Sequence, residues 1–564
     1  MSAPSDGLGG ATVLRCSRDV EAAPLSPARS LALRLTLGAA STALLAGVGG
    51  LIGGPSWIAV WLVLVPWLLS LEGVRSLRAA LAAGLLASVL FTVAVLGWFA
   101  AAISSYTGAS VVVAALVLVA VGPLLQPQLV VVAVARTWLR RRGRGRVHVA
   151  LLTASLYVGS EWASGKLFGD TLAHGLHPAA IFRQAADVAG AAGLSFVVVL
   201  VSEAIVAAIV RAAEARAGSR VRRAAAPVAV AIALLGTLAA YGTWRRADLG
   251  AARVGEPITI AAVQAGIADY PRLRAELGTY GAVRFILDAH FELSTRAASE
   301  ADVDLVVWPE SVYPTTYGAA KSEAGAGLDE EIARWVSNRG LPLVLGTYAV
   351  VEGAEFNAAV FLAPGDGPAN AVASYRKRRL FPFTERVPAL LDHATVRELL
   401  PWLGTWRSPD DAVAVVESPL RGGRRIRLAP LVCYDAVDPD LAAEAARQGA
   451  ELLLVLSNDS WFAHGAGPHQ HLVVSAFRSV ETGLPQVRAT NTGISAEIDA
   501  SGEITAALGT GEIGVLLTSV PPARATRPWA VTTVPFVGPV LLALAGALLL
   551  AGLVSRRAAE SVRA

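Results

Sequence analysis

Apolar residues are not spread evenly along this chain. From Leu31 to about Trp244 they form long runs with few charges, and from about Glu256 to Thr526 they mix with polar residues as in a water-soluble domain. From Trp529 to Val554 they close into one more continuous run. Crossing a bilayer takes about 20 mostly apolar residues. Eight segments come near that length: 31–53, 55–71, 77–101, 109–135, 148–163, 190–210, 224–244 and 529–554. Burying so many nearly chargeless stretches in a soluble protein would need an implausibly large core. The pattern therefore predicts a polytopic α-helical membrane domain over 31–245 with about seven spans, and a last span at 529–554.

Between them the period changes. Strand-like runs recur at Ile258–Val263, Val303–Val307, Leu341–Val350, Ala358–Leu362, Ile426–Cys433, Glu451–Leu456 and Gln486–Ala489. Helical patterns separate several of them, at Arg272–Ala298, Leu328–Asn338, Asp438–Gln448 and His471–Thr482. Such alternation predicts a layered α/β domain over 256–526, its sheets covered by helices.

Composition agrees with this division. Of 564 residues 54% are apolar and 16% charged, against about 25% charged in a typical soluble domain, which excludes a disordered chain. A formal charge of +4 is too small for a nucleic-acid surface unless the basic residues cluster. They do cluster, but between spans. Arg29 and Arg34, Arg75 and Arg78, Arg140 to Arg146, Arg211 to Arg223, and Arg556 and Arg557 fall in alternate connections. All can lie on one side, the cytoplasmic side by the positive-inside rule; Arg245, Arg246, Arg524 and Arg527 fall on the other. Both termini are then cytoplasmic and 256–526 extracytoplasmic. Residues 1–30 read as a disordered cytoplasmic tail and 555–564 as a second tail. Two cysteines, Cys16 and Cys433, make no disulfide framework, and Cys16 reads as a tail thiol without a role.

Three segments of the α/β domain carry reactive groups. Val306-Val307-Trp308-Pro309-Glu310-Ser311 sets a carboxylate just after an apolar strand that a proline stops, a rigid place for a general base; a solvated loop glutamate is the plain alternative. Leu431-Val432-Cys433-Tyr434-Asp435 ends a strand on a thiol with an acid two residues on. A lone buried cysteine is structural by default, and thiolate chemistry needs a base or cation beside it. Tyr375-Arg376-Lys377-Arg378-Arg379-Leu380-Phe381-Pro382-Phe383-Thr384-Glu385-Arg386-Val387-Pro388 begins as a charge run, but aromatics and prolines then pin the chain around Glu385.

Glu310 in Trp-Pro-Glu-Ser, Lys377 in Tyr-x-Lys-x-x-Leu-x-Pro-Phe-x-Glu and Cys433 in Val-Cys-Tyr-Asp resemble, in the same order, the Glu-Lys-Cys triad of the nitrilase superfamily. With spans before and after the domain, the chain over 31–554 resembles the apolipoprotein N-acyltransferases. Further matches are Val263-Gln264, Asn458-Asp459-Ser460-Trp461-Phe462, Gln470-His471 and Asn491-Thr492-Gly493-Ile494-Ser495. The resemblance implies an αββα nitrilase-like sandwich with Glu310, Lys377 and Cys433 catalytic, and Glu385, Tyr434, Asp435, Trp461 and Phe462 as supporting or substrate-binding residues. It also implies acyl transfer from a phospholipid to the α-amino group of an S-diacylglyceryl-cysteine apolipoprotein through a cysteine thioester. The site would lie outside the bacterial cytoplasmic membrane, in a monomer needing no cofactor and no nucleic acid.

Two positions depart from the family pattern: Thr384 stands where glycine is usual, and Asp435 where glutamate is. His464, His469 and His471 form a cluster that lacks the further ligand a zinc site would want, and no metal is expected. The nearest rival is a membrane-tethered amidase that hydrolyses small amides through the same triad. From another class comes a catalytically silent binding module, against which the intact triad speaks.

Overall fold

The computed structural model describes residues 27–49, 56–216, 219–251, 255–365, 370–387, 392–399, 406–410, 414–462, 465–522 and 528–561. Cys16, His464 and most of the two tails lie outside these.

The first half is helical: Pro27–Gly49, Leu77–Leu96, Phe99–Thr107, Val111–Leu125, Pro127–Arg141, Arg146–Ser164, Ala186–Ala213 and Arg220–Ala251, with Ala530–Ser561 returning at the end of the chain. Local chemistry sets their ends. Ser76 and Ser110 cap two N-termini through their hydroxyl oxygens, and Gly108 ends Phe99–Thr107 at φ 72°, a conformation glycine adopts without strain.

Among the described residues five helices are long and apolar enough to cross a bilayer, or six if the bent pair Val111–Leu125 and Pro127–Arg141 forms one span. Two of the eight expected segments do not meet that measure of length and apolarity. Segment 55–71 holds only the 3-10 turn Trp57–Trp61 and the six-residue helix Val65–Ser70, with Pro66 in its first turn. Arg146–Ser164 forms a helix, but His148, Thr153, Ser155 and Glu161 interrupt its apolar run and it falls short of that apolarity. At 109–135 the helix breaks by 46° at Gln126, because Pro127 lacks an N–H and disfavours helical backbone in the residue before it.

The described residues of the second half form twelve strands: β1 (Ile258–Gln264), β2 (Leu305–Val307), β3 (Leu343–Val351), β4 (Ala354–Leu362), β5 (Ala371–Arg376), β6 (Val416–Pro419), β7 (Arg425–Val432), β8 (Leu452–Ser457), β9 (Gln486–Thr490), β10 (Ser495–Ile498), β11 (Ile504–Leu508) and β12 (Gly514–Val520). They form two six-stranded sheets, ordered β12-β1-β2-β3-β4-β5 and β11-β10-β9-β8-β7-β6. Each has three parallel strands at its centre, β1-β2-β3 and β7-β8-β9, flanked by antiparallel neighbours.

Side-chain alternation builds the layers. Ile260, Ala262, Val307 and Val344 face Leu428, Leu454, Leu456 and Val487 across the sandwich. Ala261, Val263 and Val306 face outward onto Ile286, Leu287, Ile332 and Val336 of the helices Tyr270–Glu300 and Glu323–Arg339. This is the αββα sandwich expected.

The outer face of the second sheet meets the helical half. Val473, Phe477 and Val480 of the helix Gly467–Thr482 share one core with Leu194 and Val198 of Ala186–Ala213. Polar contacts fix the docking: Ala191 N–H donates to Glu481 Oε1 (2.9 Å), Trp98 Nε1 to Gln470 Oε1 (3.0 Å) and Arg183 Nε to the Ser501 carbonyl (2.9 Å).

Candidate active site

Glu310 follows β2 and Cys433 follows β7, both leaving the C-terminal ends of parallel strands, where α/β folds gather their chemistry. Strand β5 runs antiparallel to β4, which runs antiparallel to β3, so Lys377 leaves β5 at the same edge as Glu310. Two turns there are strained. Ser311 (φ 55°) and Cys433 (φ 48°) are two of only four non-glycine residues at positive φ among the described residues. Such backbone persists where the surroundings over-determine it. Beside Glu310, a Cβ on Gly346 of β3 would lie 2.5 Å from the Glu310 Cα, so only glycine lets the strand pass that close.

Lys377 is the hub of the site. Its Nζ donates to Glu310 Oε1 (2.9 Å) and Glu385 Oε1 (2.8 Å), and the side chain is 2% exposed. Burial alone would lower its pKa, but the charges of Glu310 and Glu385 hold it well above the usual lysine value, so the ammonium stays charged. Glu310 also accepts from Asn357 Nδ2 at Oε1 (2.8 Å) and from the Asn458 N–H at Oε2 (2.9 Å). A carboxylate oxygen offers two lone pairs, so Oε2 keeps one for a proton. The Cys433 thiol is pushed well above its usual pKa by burial and by the Glu310 charge, against the pull of Lys377. It rests protonated, and any nucleophilic use of it needs a base.

A chain of buried groups holds the Cys433 turn from behind. Arg488 donates to both Asp459 Oδ2 and His471 Nδ1 (2.9 Å each), and His471 Nε2 lies 3.2 Å from the Cys433 carbonyl. Because Nδ1 accepts from Arg488, the proton sits on Nε2, which donates to that carbonyl. Burial and the Arg488 charge lower the His471 pKa, which keeps this neutral tautomer. His471 is therefore structural.

Glu310, Lys377, Glu385, Cys433 and Trp461 line one cleft of about 210 Å³, together with Asn357, Asn458, Thr384 and Tyr106. Asp435 and Phe462 do not line it. Asp435 accepts from the Arg378, Arg379 and Val432 N–H groups and from the Tyr375 hydroxyl, tying the Lys377 loop to the Cys433 turn. Burial raises its pKa to about 6. Phe462 packs instead against Trp98, Phe168 and Trp461. Tyr434 turns its hydroxyl to the Leu167 carbonyl (2.7 Å) and its ring edge to Phe381. A second cavity of about 660 Å³ opens between the helical half and the sandwich, lined by Tyr434, Lys166, Asp170, Arg379 and Arg386.

Sequence reasoning missed Asn357 and Tyr106. Asn357 had a signal, a lone amide in the apolar run of β4. Tyr106 had none, since it reaches the cleft from the helix Phe99–Thr107.

The sandwich and its site define a carbon-nitrogen hydrolase domain, and residues 259–528 match the family of that description. Residues 47–204 match the apolipoprotein N-acyltransferase N-terminal domain. With both matches in that order on one chain, it resembles the apolipoprotein N-acyltransferases. The apolipoprotein N-acyltransferase of Pseudomonas aeruginosa PAO1 is 33% identical over 330 residues, covering 58% of this chain and 59% of that protein. That of Geobacter metallireducens is 28% identical over 468 residues, covering 79% and 81%. The chain thus spans less than two thirds of the length of the Pseudomonas relative. Among solved structures, an amidase from Nesterenkonia sp. covers 48% of this chain and 91% of its own at 20% identity and TM-score 0.31. Saccharomyces cerevisiae Nit3 covers 47% and 91% at 17% identity and TM-score 0.33.

Proposed function

We propose that this chain transfers an acyl group from a membrane phospholipid to the α-amino group of S-diacylglyceryl-cysteine apolipoproteins, with Glu310, Lys377 and Cys433 as catalytic residues. The observation that carries this reading is the cleft itself: a charged lysine between two carboxylates beside a protonated thiol, walled by Tyr106 from the helical half. A site for small soluble amides has no need of such a wall.

In the first half-reaction Glu310 takes the Cys433 proton and Sγ attacks the ester carbonyl of the phospholipid. Lys377 stabilises the oxyanion. The ester C–O bond breaks, the proton passes from Glu310 to the departing lysophospholipid oxygen, and a thioester remains. In the second, the lipoprotein amine attacks the thioester carbonyl while Glu310 accepts its proton. The C–N bond forms, the C–S bond breaks, and the proton returns to the Cys433 sulfur. Glu385 and Asp435 are positioning residues for Lys377 and for the two turns. Tyr434, Trp461 and Phe462 belong to the aromatic lining between the sandwich and the helices, a path suited to acyl chains.

The arginine pattern supports placing 256–526 on the extracytoplasmic side of a bacterial cytoplasmic membrane, with 31–245 and 529–554 spanning it. Reporter fusions after Arg144 and Arg220 should then read cytoplasmic, and one after Gly340 extracytoplasmic.

The deciding experiment separates transfer from hydrolysis. Protein incubated with phospholipid alone should carry a hydroxylamine-sensitive acyl group on Cys433, and a diacylglyceryl-cysteine peptide should discharge it to an N-acylated product. Release only as free fatty acid, with or without the peptide, would make the chain a hydrolase.

A further inference from the structure

A cavity of about 600 Å³ lies among the helices Pro127–Arg141, Arg146–Ser164, Ala186–Ala213 and Arg220–Ala251. It sits at the bundle end away from the catalytic cleft. Its walls come from the start of Arg146–Ser164, the last turns of Ala186–Ala213 and the start of Arg220–Ala251. The opposite ends of those helices lead to Leu167, Ala191 and β1, where the sandwich docks. The length of Arg146–Ser164 alone separates the two sites by about 28 Å at 1.5 Å per residue.

Five arginines line this cavity: Arg136, Arg140, Arg144, Arg146 and Arg211. Against them stand Glu203 on the wall and Glu72 behind it, which Arg136, Arg140 and Arg146 already share. Three positive charges are left over. The deepest is Arg136, 1% exposed, whose Nε and Nη2 are held by the two carboxylates. Its Nη1 is buried with no hydrogen-bond acceptor among the described residues. Below the arginines the walls turn apolar at Leu200, Val230 and Leu234. A cationic mouth over an apolar slot between spanning helices suits a ligand with phosphate oxygens at one end and hydrocarbon at the other.

We infer that this cavity is a binding site for an anionic phospholipid, distinct from the donor lipid of the catalytic cleft. Phosphate oxygens accept from Arg140, Arg146 and Arg211, the buried Arg136 adds its charge behind them, and the acyl chains lie along Leu200, Val230 and Leu234. The three surplus charges favour a lipid with more than one phosphate over a zwitterionic one. The inference rests on the membrane placement proposed above and not on acyl transfer, so the two fail separately.

The test uses the full chain in detergent micelles with equal amounts of cardiolipin and phosphatidylcholine, read by native mass spectrometry. Cardiolipin should be retained at least tenfold over phosphatidylcholine and should raise the melting temperature, both effects weakening as salt rises. The triple variant Arg140→Gln/Arg146→Gln/Arg211→Gln should lose that preference. Ala226→Trp, which narrows the cavity without changing its charge, should lose it too and decides the matter if the triple variant does not fold. Equal retention of the two lipids, or unchanged preference in a variant that folds, overturns the inference. So does equal stabilisation by inorganic phosphate at matched phosphate concentration, which would make the site one for a free anion.

Discussion

Two buried clusters in this molecule each set a cation between two carboxylates, the second with two further arginines on one of its carboxylates. In the sandwich, Lys377 bridges Glu310 and Glu385. In the helical bundle, Arg136 bridges Glu203 and Glu72. The difference lies in what each cation has left to give. A guanidinium is a rigid planar fork, and Arg136 spends Nε and Nη2 on carboxylates held by packed helices. A lysine ammonium carries three donors on a flexible stem; two of those on Lys377 meet carboxylates, and a third suffices for a substrate oxygen. The lysine also stands on a loop at a strand end, beside the strained Cys433 turn and an open cleft. The two clusters differ in charge count as well, since Arg140 and Arg146 also pair with Glu72, and what sets the first apart for chemistry is donor geometry and placement.

The strongest way to break this comparison is to remove the group that only the first cluster serves. Cys433→Ser should reduce acyl transfer by at least about 10³-fold, because a hydroxyl is a far weaker nucleophile than a thiolate. Its melting temperature should stay close to wild type. Transfer of a labelled acyl chain to a lipopeptide measures the first, and a thermal melt in detergent the second. Residual transfer near the wild-type rate would remove Cys433 from the mechanism.

Exchanging the cations sharpens the contrast. Arg136→Ala leaves the buried Glu203 without its ion-pair partner and should cost about 3–5 kcal/mol of stability, while the surviving folded fraction keeps its rate per molecule. Lys377→Ala should do the reverse in kinetics, losing about 3–4 kcal/mol of transition-state stabilisation, as oxyanion-hole deletions do. Lys377→Arg should not rescue it, since a planar fork cannot take the place of a point charge between the two carboxylates. Single-turnover thioester formation distinguishes the two clusters. A Lys377→Ala protein forming thioester at the wild-type rate would leave the lysine a structural role only.

Much of this site was legible because its members follow elements with strong periodic signals. β2 and β7 are short apolar runs ended by Pro309 and by the Cys433 turn, so Glu310 and Cys433 stood out as strand-end groups. β5 is exposed or half-buried up to Ser374 and gives no such run, so Lys377 was found through its motif and not through its strand. β6, β10, β11 and β12 were missed for the same reason: they are short or flank the sheets and bury only alternate side chains, as in β11 and β12. Asp435 and Phe462 were named through the family motifs and not through any pattern of their own; a 3-10 turn points Asp435 into the backbone of the Lys377 loop and aromatic packing draws Phe462 toward Trp98. Segment 55–71 shows the limit of hydropathy, which counts apolar residues but does not register that a proline and a tight turn divide them.

Asp435 supplies a pH test of how the two halves of the site are joined. Burial raises its folded pKa to about 6 from 3.8, so between those values the folded protein holds a proton that the unfolded chain has released. Stability from this group is therefore full below about pH 4, falls as pH rises, and levels off above about pH 6, a change of roughly 3 kcal/mol. Asp435→Asn does not titrate, so the stability of wild type minus that of the variant should decline across this window in detergent melts. A difference that is flat or rises with pH would mean the carboxyl is ionised throughout and stabilised by the N–H groups it accepts from.

The smallest expected effect probes the joint between bundle and sandwich. Tyr434 adjoins Cys433 and donates to the Leu167 carbonyl at 2.7 Å, one of several polar contacts that seat the sandwich on the helices. Tyr434→Phe keeps the ring and its edge contact with Phe381, whose centroid lies 5.0 Å away, and removes only that hydrogen bond. The loss should be about 1 kcal/mol, the net worth of one neutral hydrogen bond. How it divides between measurements is the informative part. If the contact merely adds to docking, the melting temperature falls slightly and the rate of thioester formation does not move. If it also sets the angle of the Cys433 turn against the aromatic lining, transfer to a bulky lipopeptide falls by about fivefold while hydrolysis of a small soluble ester by the same thiol is spared. The latter outcome is expected, because Tyr434 shares the 3-10 turn of Cys433 and its hydroxyl seats that turn against the helical half at Leu167, where a bulky substrate and not a small ester would meet the shift.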